Sequence, residues 1–147
     1  MTAPAQPLYT REILALAVSL ADWPLGEALA HQAELRSQSC GSVVRVGIDL
    51  DERGRVTSFG VNARACALGQ ASTAILAGNV VGADAQAIAT ARDQLERFLD
   101  GARDDPGEWP GIEHLASARP YPARHGSILL PWRAALAALS SPVTQAI

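Results

Sequence analysis

The stretch that most restricts the fold is "SVVRVGIDLDERGRVTSFGV", residues 42–61. Val44, Val46, Ile48 and Leu50 alternate with Arg45, Gly47 and Asp49. A period of two sends the aliphatic set to one face and the polar set to the other. "DERG" turns the chain, and Val56 to Val61 return. Alternation on both sides of a polar, glycine-containing turn predicts a β-hairpin. Upstream, "GEALAHQAELRS" reads as a first strand, although its alanines and leucines would also tolerate a helix.

The rest of the chain follows the helical period. "LYTREILALAVSLADWP" spaces Ile13, Leu16, Ala17 and Leu20 for one face of a helix that ends at Trp23-Pro24. After the hairpin, "CALGQASTAILAGNVVGA" predicts a helix through Leu68, Ser72, Ile75 and Leu76, stopped at Gly78. "DAQAIATARDQLERFLDGA" predicts another, capped by Asp84 and ended at Gly101. "RDDPGEWPG" is an acidic, broken loop, "IEHLASA" one or two helical turns, and a last helix spans about Ser127 to Leu139. Strands first and helices afterwards argue for an α+β fold: a small three-stranded antiparallel sheet with four to six helices packed on one face. Residues 1–147 are expected to form one domain, with 1–7 a flexible tail.

Bulk properties exclude some functions. A net charge of −3 gives no electrostatic reason to expect nucleic acid or an anionic membrane as partner. "MTAPAQPLYTRE" lacks the basic and apolar regions of a secretory leader, and the longest apolar run is too short for a bilayer. A reducing, cytoplasmic setting is the expectation, with both cysteines as free thiols or metal ligands.

Cys40 lies in "SQSCGS" and Cys66 where the hairpin hands over to a helix. A cysteine at a helix N-terminus meets unpaired N–H groups and the positive end of the dipole, which favour thiolate. Thiolate is both nucleophile and metal ligand. The plainer role, a small buried residue, fits each cysteine as well. Their wide spacing matches no short zinc motif. In "PARHGSILLPWRAAL", Ser127 reads as an N-cap, with Pro131 in the first turn where its missing donor costs least. A His125–Ser127 pair has no third, orienting group and no nucleophile elbow, so a hydrolase is not expected. His31 and His114 lack clustered partners and read as surface or structural histidines.

"LYTREIL", "SCGS" before a hairpin, "ACALGQAS" opening a helix and "YPARHGSILLPWRAAL" occur in an order that resembles the iron–sulfur cluster assembly scaffold family of NifU N-terminal domains, IscU and SufU. The likeness covers nearly the whole chain. It is strongest to the SufU branch, whose last motif reads PAR-x-x-C-x-x-L-x-W; Pro122, Arg124, Leu130 and Trp132 match it. The resemblance implies a site of three cysteines and one aspartate at one end of the molecule. That site would hold a nascent [2Fe–2S] cluster or a zinc ion and receive sulfur from a cysteine desulfurase.

Cys40 matches the first cysteine and Cys66 the second. Ser42 stands where the family has its aspartate, and Ser127 where it has the third cysteine. A neutral hydroxyl is a poor ligand beside a thiolate, and a closed zinc site wants four donors. His125, two residues before the vacant position, is a candidate third ligand. The turn after the first helix, "SLADWPLGE", also departs from the family's basic Asn-Pro-Arg-like turn. The resemblance therefore implies a scaffold or carrier rather than a catalyst. It would bind a cluster, iron or zinc weakly or labilely through Cys40 and Cys66 and meet a cysteine desulfurase and other assembly proteins. Two alternatives stand beside it: a degenerate paralogue without metal that partners or regulates a desulfurase, and a SufU-like sulfur relay.

Overall fold

The computed structural model describes residues 8–26, 28–38 and 41–140. Helix α1 (Arg11–Ser19) opens the described chain, and the Thr10 hydroxyl caps it by accepting from the Ile13 N–H. A 3-10 turn, Leu20–Asp22, ends it before Trp23, as the Trp-Pro punctuation predicted. Three strands follow: β1 (His31–Arg36), β2 (Val43–Leu50) and β3 (Val56–Arg64). They pair antiparallel in the order β1-β2-β3. Then come α2 (Ala67–Asn79), α3 (Ala85–Leu99), the 3-10 helices Ile112–Ala118 and Pro122–Arg124, and α4 (His125–Ser140). The α+β reading holds. No helix among the described residues is long and apolar enough to cross a membrane.

The hairpin forms for the reason its alternation suggests. Val44, Val46 and Ile48 are fully buried on the inner face, while Arg45 between them is exposed. At the turn, Asp51 Oδ1 accepts from the N–H groups of Arg53 and Arg55, and Gly54 takes the left-handed φ of 77°. A register irregularity at Asp49/Leu50 adjoins this turn.

The core lies between the inner sheet face and α2 and α4. Leu68, Leu76, Ile128, Trp132, Ala134 and Ala135 are almost wholly withdrawn from water there. Small residues let the helices approach closely, which accounts for the alanine-rich composition. Trp132 is the largest fully buried side chain, and the Trp109 ring meets it edge-on with centroids 5.1 Å apart. Both indole N–H groups are satisfied: Trp109 donates to the Ile75 carbonyl and Trp132 to Ser72 Oγ. The acidic loop is tied to α3, where the Glu108 N–H donates to Gln94 Oε1.

Three local expectations are corrected. Helix α2 does not stop at Gly78; it runs to Asn79 because Gly78 keeps helical backbone, and the left-handed glycine comes later, at Gly82. Helix α4 begins at His125, since the turn Pro122–Arg124 feeds directly into it. Ser127 is therefore not an N-cap, and Pro131 falls inside the helix rather than in its first turn. Without an N–H at 131, the carbonyl of Ser127 lacks its usual i+4 donor.

Among the described residues, the outer face of the sheet is covered at one end. There the segment after Trp23 crosses the strands: the Trp23 carbonyl accepts from the Val61 N–H, and Leu25 and Leu29 lie over Gly47 and Gly60. A Cβ on Gly60 would stand 2.6 Å from the Pro24 carbonyl oxygen, and one on Gly47 would stand 2.8 Å from Leu29 Cδ1. Gly60→Ala is expected to lift this segment and destabilise the protein by about 1–3 kcal/mol. Urea denaturation measures this, and an unchanged midpoint would contradict the packing.

Candidate functional site

Three side chains from different elements meet at one end of the molecule. Ser42 precedes β2, Cys66 links β3 to α2, and Ser127 lies in the first turn of α4. Ser127 Oγ is 3.3 Å from Ser42 Oγ and 3.5 Å from Cys66 Sγ. Both serines are buried, at 1% exposure for Ser127 and 4% for Ser42, while Cys66 is half-buried and not in a disulfide.

Local structure explains each placement. Gly41, with a φ of 72°, turns the chain just before Ser42, and the Ser37 N–H donates to the Ser42 carbonyl to close the β1–β2 connection. Cys66 is the N-cap residue of α2. Its backbone is extended and its carbonyl accepts from the Gln70 N–H, yet its thiol makes no capping bond. The sulfur is thus left at the positive end of the helix, free to face Ser127. Ser127 is positioned by the contact of α4 with α2. A Cβ on Gly69 would fall onto Ser127 Oγ and stand 2.7 Å from Ala65 Cβ, so only glycine leaves room for the hydroxyl.

A second bond holds the two helices in register. Ser72 Oγ donates to the Ile128 carbonyl at 2.6 Å and accepts from Trp132 Nε1 at 2.9 Å. One buried hydroxyl therefore satisfies both a carbonyl and an indole.

Of the residues singled out from sequence, Ser42, Cys66 and Ser127 are brought together. Cys40 lies outside the described residues. His125 begins α4, and its Nε2 is 3.0 Å from the Ala118 carbonyl and 3.1 Å from that of Arg119. Both partners are acceptors, so Nε2 carries a hydrogen and donates to them. The imidazole thereby ties the end of the 112–118 helix to the start of α4. Gly69 is a positioning residue that the sequence reading did not single out, and Ser72 was read there only as part of the inward face of the helix. A glycine within a helix costs about 1 kcal/mol against alanine, and that oddity in "ALGQAS" was the available signal.

The donor set limits the chemistry. Ser42 and Ser127 are neutral hydroxyls, and among the described residues no three His, Cys, Asp or Glu side chains are grouped to hold a metal. Soft thiolates suit iron–sulfur clusters and zinc, whereas a serine must lose a tightly held proton to compete. These residues do not fit a closed four-ligand site. The Ser42–Ser127 separation is also long for a hydroxyl pair, whose usual distance is about 2.7–2.8 Å. A cleft of about 390 Å³ opens between β1 and α4 beside the cluster, lined by Leu35, Arg36, Ser37, Gly126, Leu130 and Arg133 among others.

No family model and no curated relative matches the chain. Solved structures do. The N-terminal part of a nitrogen-fixing NifU-like protein from Brucella abortus is 33% identical, with a TM-score of 0.82, over 90% of this chain and 92% of that one. The chain belongs to this NifU-like family. A protein assigned as the iron–sulfur cluster assembly scaffold of the SUF system in Fervidobacterium islandicum shares the fold. It has a TM-score of 0.82 at 22% identity, covering 90% of this chain and 97% of its own. A hypothetical protein shares the fold more distantly, with a TM-score of 0.65 at 18% identity over 88% of this chain and 97% of that one.

Gly69→Ala is expected to push Ser127 Oγ away from Ser42 and Cys66 and to destabilise by about 1–3 kcal/mol. Adding Ser127→Gly should recover part of that loss, with a coupling of at least about 0.5 kcal/mol in a double-mutant cycle. Strict additivity would show that the two side chains do not compete for the same space.

Proposed function

We propose that this chain is a scaffold-type protein of iron–sulfur cluster assembly. Its cargo is a nascent [2Fe–2S] cluster, or an iron or zinc ion, carried on the thiolates of Cys40 and Cys66. The observation that supports this best is the meeting of Ser42, Cys66 and Ser127, three positions far apart in sequence, within one NifU-like fold. Cys66 supplies the soft donor at the mouth of that cluster, and a cysteine desulfurase is the source of sulfur this role requires. His125, two residues before Ser127 in the chain, is the candidate third donor, through the ring nitrogen Nδ1.

In this reading the two serines support the thiolate rather than bind the cargo. A thiolate can only accept, so Ser127 donates to Cys66 and Ser42 can in turn donate to Ser127. Hydrogen bonds to sulfur tune such sites. With two thiolates in place of four ligands, the remaining positions on the cargo stay open to solvent or to a partner's donors. Cargo is then held loosely and released easily.

A second reading rests on the same hydroxyls. Two neutral serines at ligand positions suit a paralogue that keeps the fold, carries no metal and partners or regulates a desulfurase. Anaerobic purification with iron, zinc and acid-labile sulfide analysis separates the two. Iron with sulfide that disappears in both Cys40→Ala and Cys66→Ala is the expected outcome. Absence of metal under every reconstitution would overturn the scaffold reading in favour of the second. Ser127→Cys adds a third thiol beside Cys66 and should increase retained zinc or cluster in the same assay.

A further inference from the structure

The part of the outer sheet face that no described residue covers is an unusual surface for this chain. Cross-strand pairing places Glu34, Arg45 and Asn62 in one row and Arg36, Val43 and Arg64 in the next. Together they line an open cleft of about 260 Å³. Three arginines and one glutamate thus share a small area of a protein whose net charge is −3. Glu34 reaches only Arg36, at 3.8 Å, and both are well exposed, so that pair contributes little. The side chains of Arg45 and Arg64 make no ion pair or hydrogen bond among the described residues. Arg36 and Arg64 both stand diagonal to Arg45 across the strands, close enough for long side chains to share one ligand. Nothing in the packing of the sheet calls for these arginines, since the inner face alone holds the core.

We propose that this arginine face is a docking surface for an acidic, extended segment of a partner protein. The inference goes beyond the cluster-carrying role and needs neither cluster nor metal. Guanidinium forks match carboxylates, and arginine clusters are a recurring means of recognising acidic motifs. The spacing favours a chain of carboxylates over a single small anion. Arg36 and Arg64 stand on the two outer strands, about 10 Å apart at the backbone. Arg45 lies between them, one row along. A segment crossing the strands meets the three in succession. The position also has a consequence for the site: Val43 follows Ser42 directly, and Arg64 lies two residues before Cys66. A partner held here is beside the only described thiol.

The test uses the full chain and a fluorescein-labelled synthetic peptide in which glutamate alternates with serine, read by anisotropy at low ionic strength. Binding should weaken as salt is raised and fall at least about tenfold in Arg45→Gln/Arg64→Gln. It should persist in Arg11→Gln/Arg97→Gln, where both arginines are exposed elsewhere. Arg45→Lys/Arg64→Lys, which keeps the charge, should fall between. The proposal is overturned if the glutamine version of the peptide binds equally well, or if Arg45→Gln/Arg64→Gln binds like the parent chain. Displacement of the peptide by inorganic phosphate at similar concentration would also overturn it, because the face would then be a simple anion site.

Discussion

The contact between α2 and α4 is what the rest of the molecule depends on. Gly69 brings the helices close enough for Ser127 to enter the seam, and Ser72 bonds the Ile128 carbonyl across it. Trp132 fills the space below and returns its indole N–H to the same Ser72 hydroxyl. Pro131 removes a donor from α4 in the same turn. The Ser72 bond falls on the adjacent Ile128 carbonyl, so it braces α4 beside the interruption without replacing the donor that the Ser127 carbonyl lacks. Burial of Trp132 supplies the larger share of the energy, since removing such a side chain costs about 3–5 kcal/mol. The polar bonds add less but fix the register, because an unsatisfied buried carbonyl or indole is costly.

That register places position 127 against Cys66. A shift along the seam would carry the Ser127 hydroxyl away from both Ser42 and the sulfur. The candidate site is thus a consequence of core packing rather than of the connecting segments alone. The same economy shows on the sheet: one part of its outer face is packed by Leu25 and Leu29 over two glycines, while another carries three arginines, of which Arg45 and Arg64 have no ion-pair partner among the described residues. The candidate site and the proposed docking face both fall at the end of the molecule where β2 begins and β3 closes.

Much of this was legible beforehand because it rests on local rules. Val44, Val46 and Ile48 alternate because a half-buried strand demands it, and Asp84 caps α3 by accepting from the Ala87 N–H, as its position suggested. Ser127 shows where local rules run out. A serine before an apolar run is a sound N-cap candidate, yet Pro122 starts a 3-10 turn that carries the helix back to His125. The hydroxyl is then inside the first turn and buried. Gly78 was misjudged for a related reason: a glycine can end a helix but need not, and here packing keeps the backbone helical through Asn79. His125 was read as a candidate third ligand, and the carbonyls that occupy its Nε2 come from residues whose fold could not be seen.

By itself, the sequence determined the class of fold, the order of its elements and the kinds of atom offered at the ligand positions: two thiols, and hydroxyls at 42 and 127. Fold class and element order follow from periodicity and capping, which act over a few residues, while the ligand positions are what the resemblance to the NifU-like family implies. Only the tertiary structure decided that Ser42, Cys66 and Ser127 touch, that Gly69 makes their contact feasible, and that three arginines from three strands share one face. These depend on the register between strands and on the distance between helix axes. Both are set by how the whole core closes, and no short window of the chain contains that information.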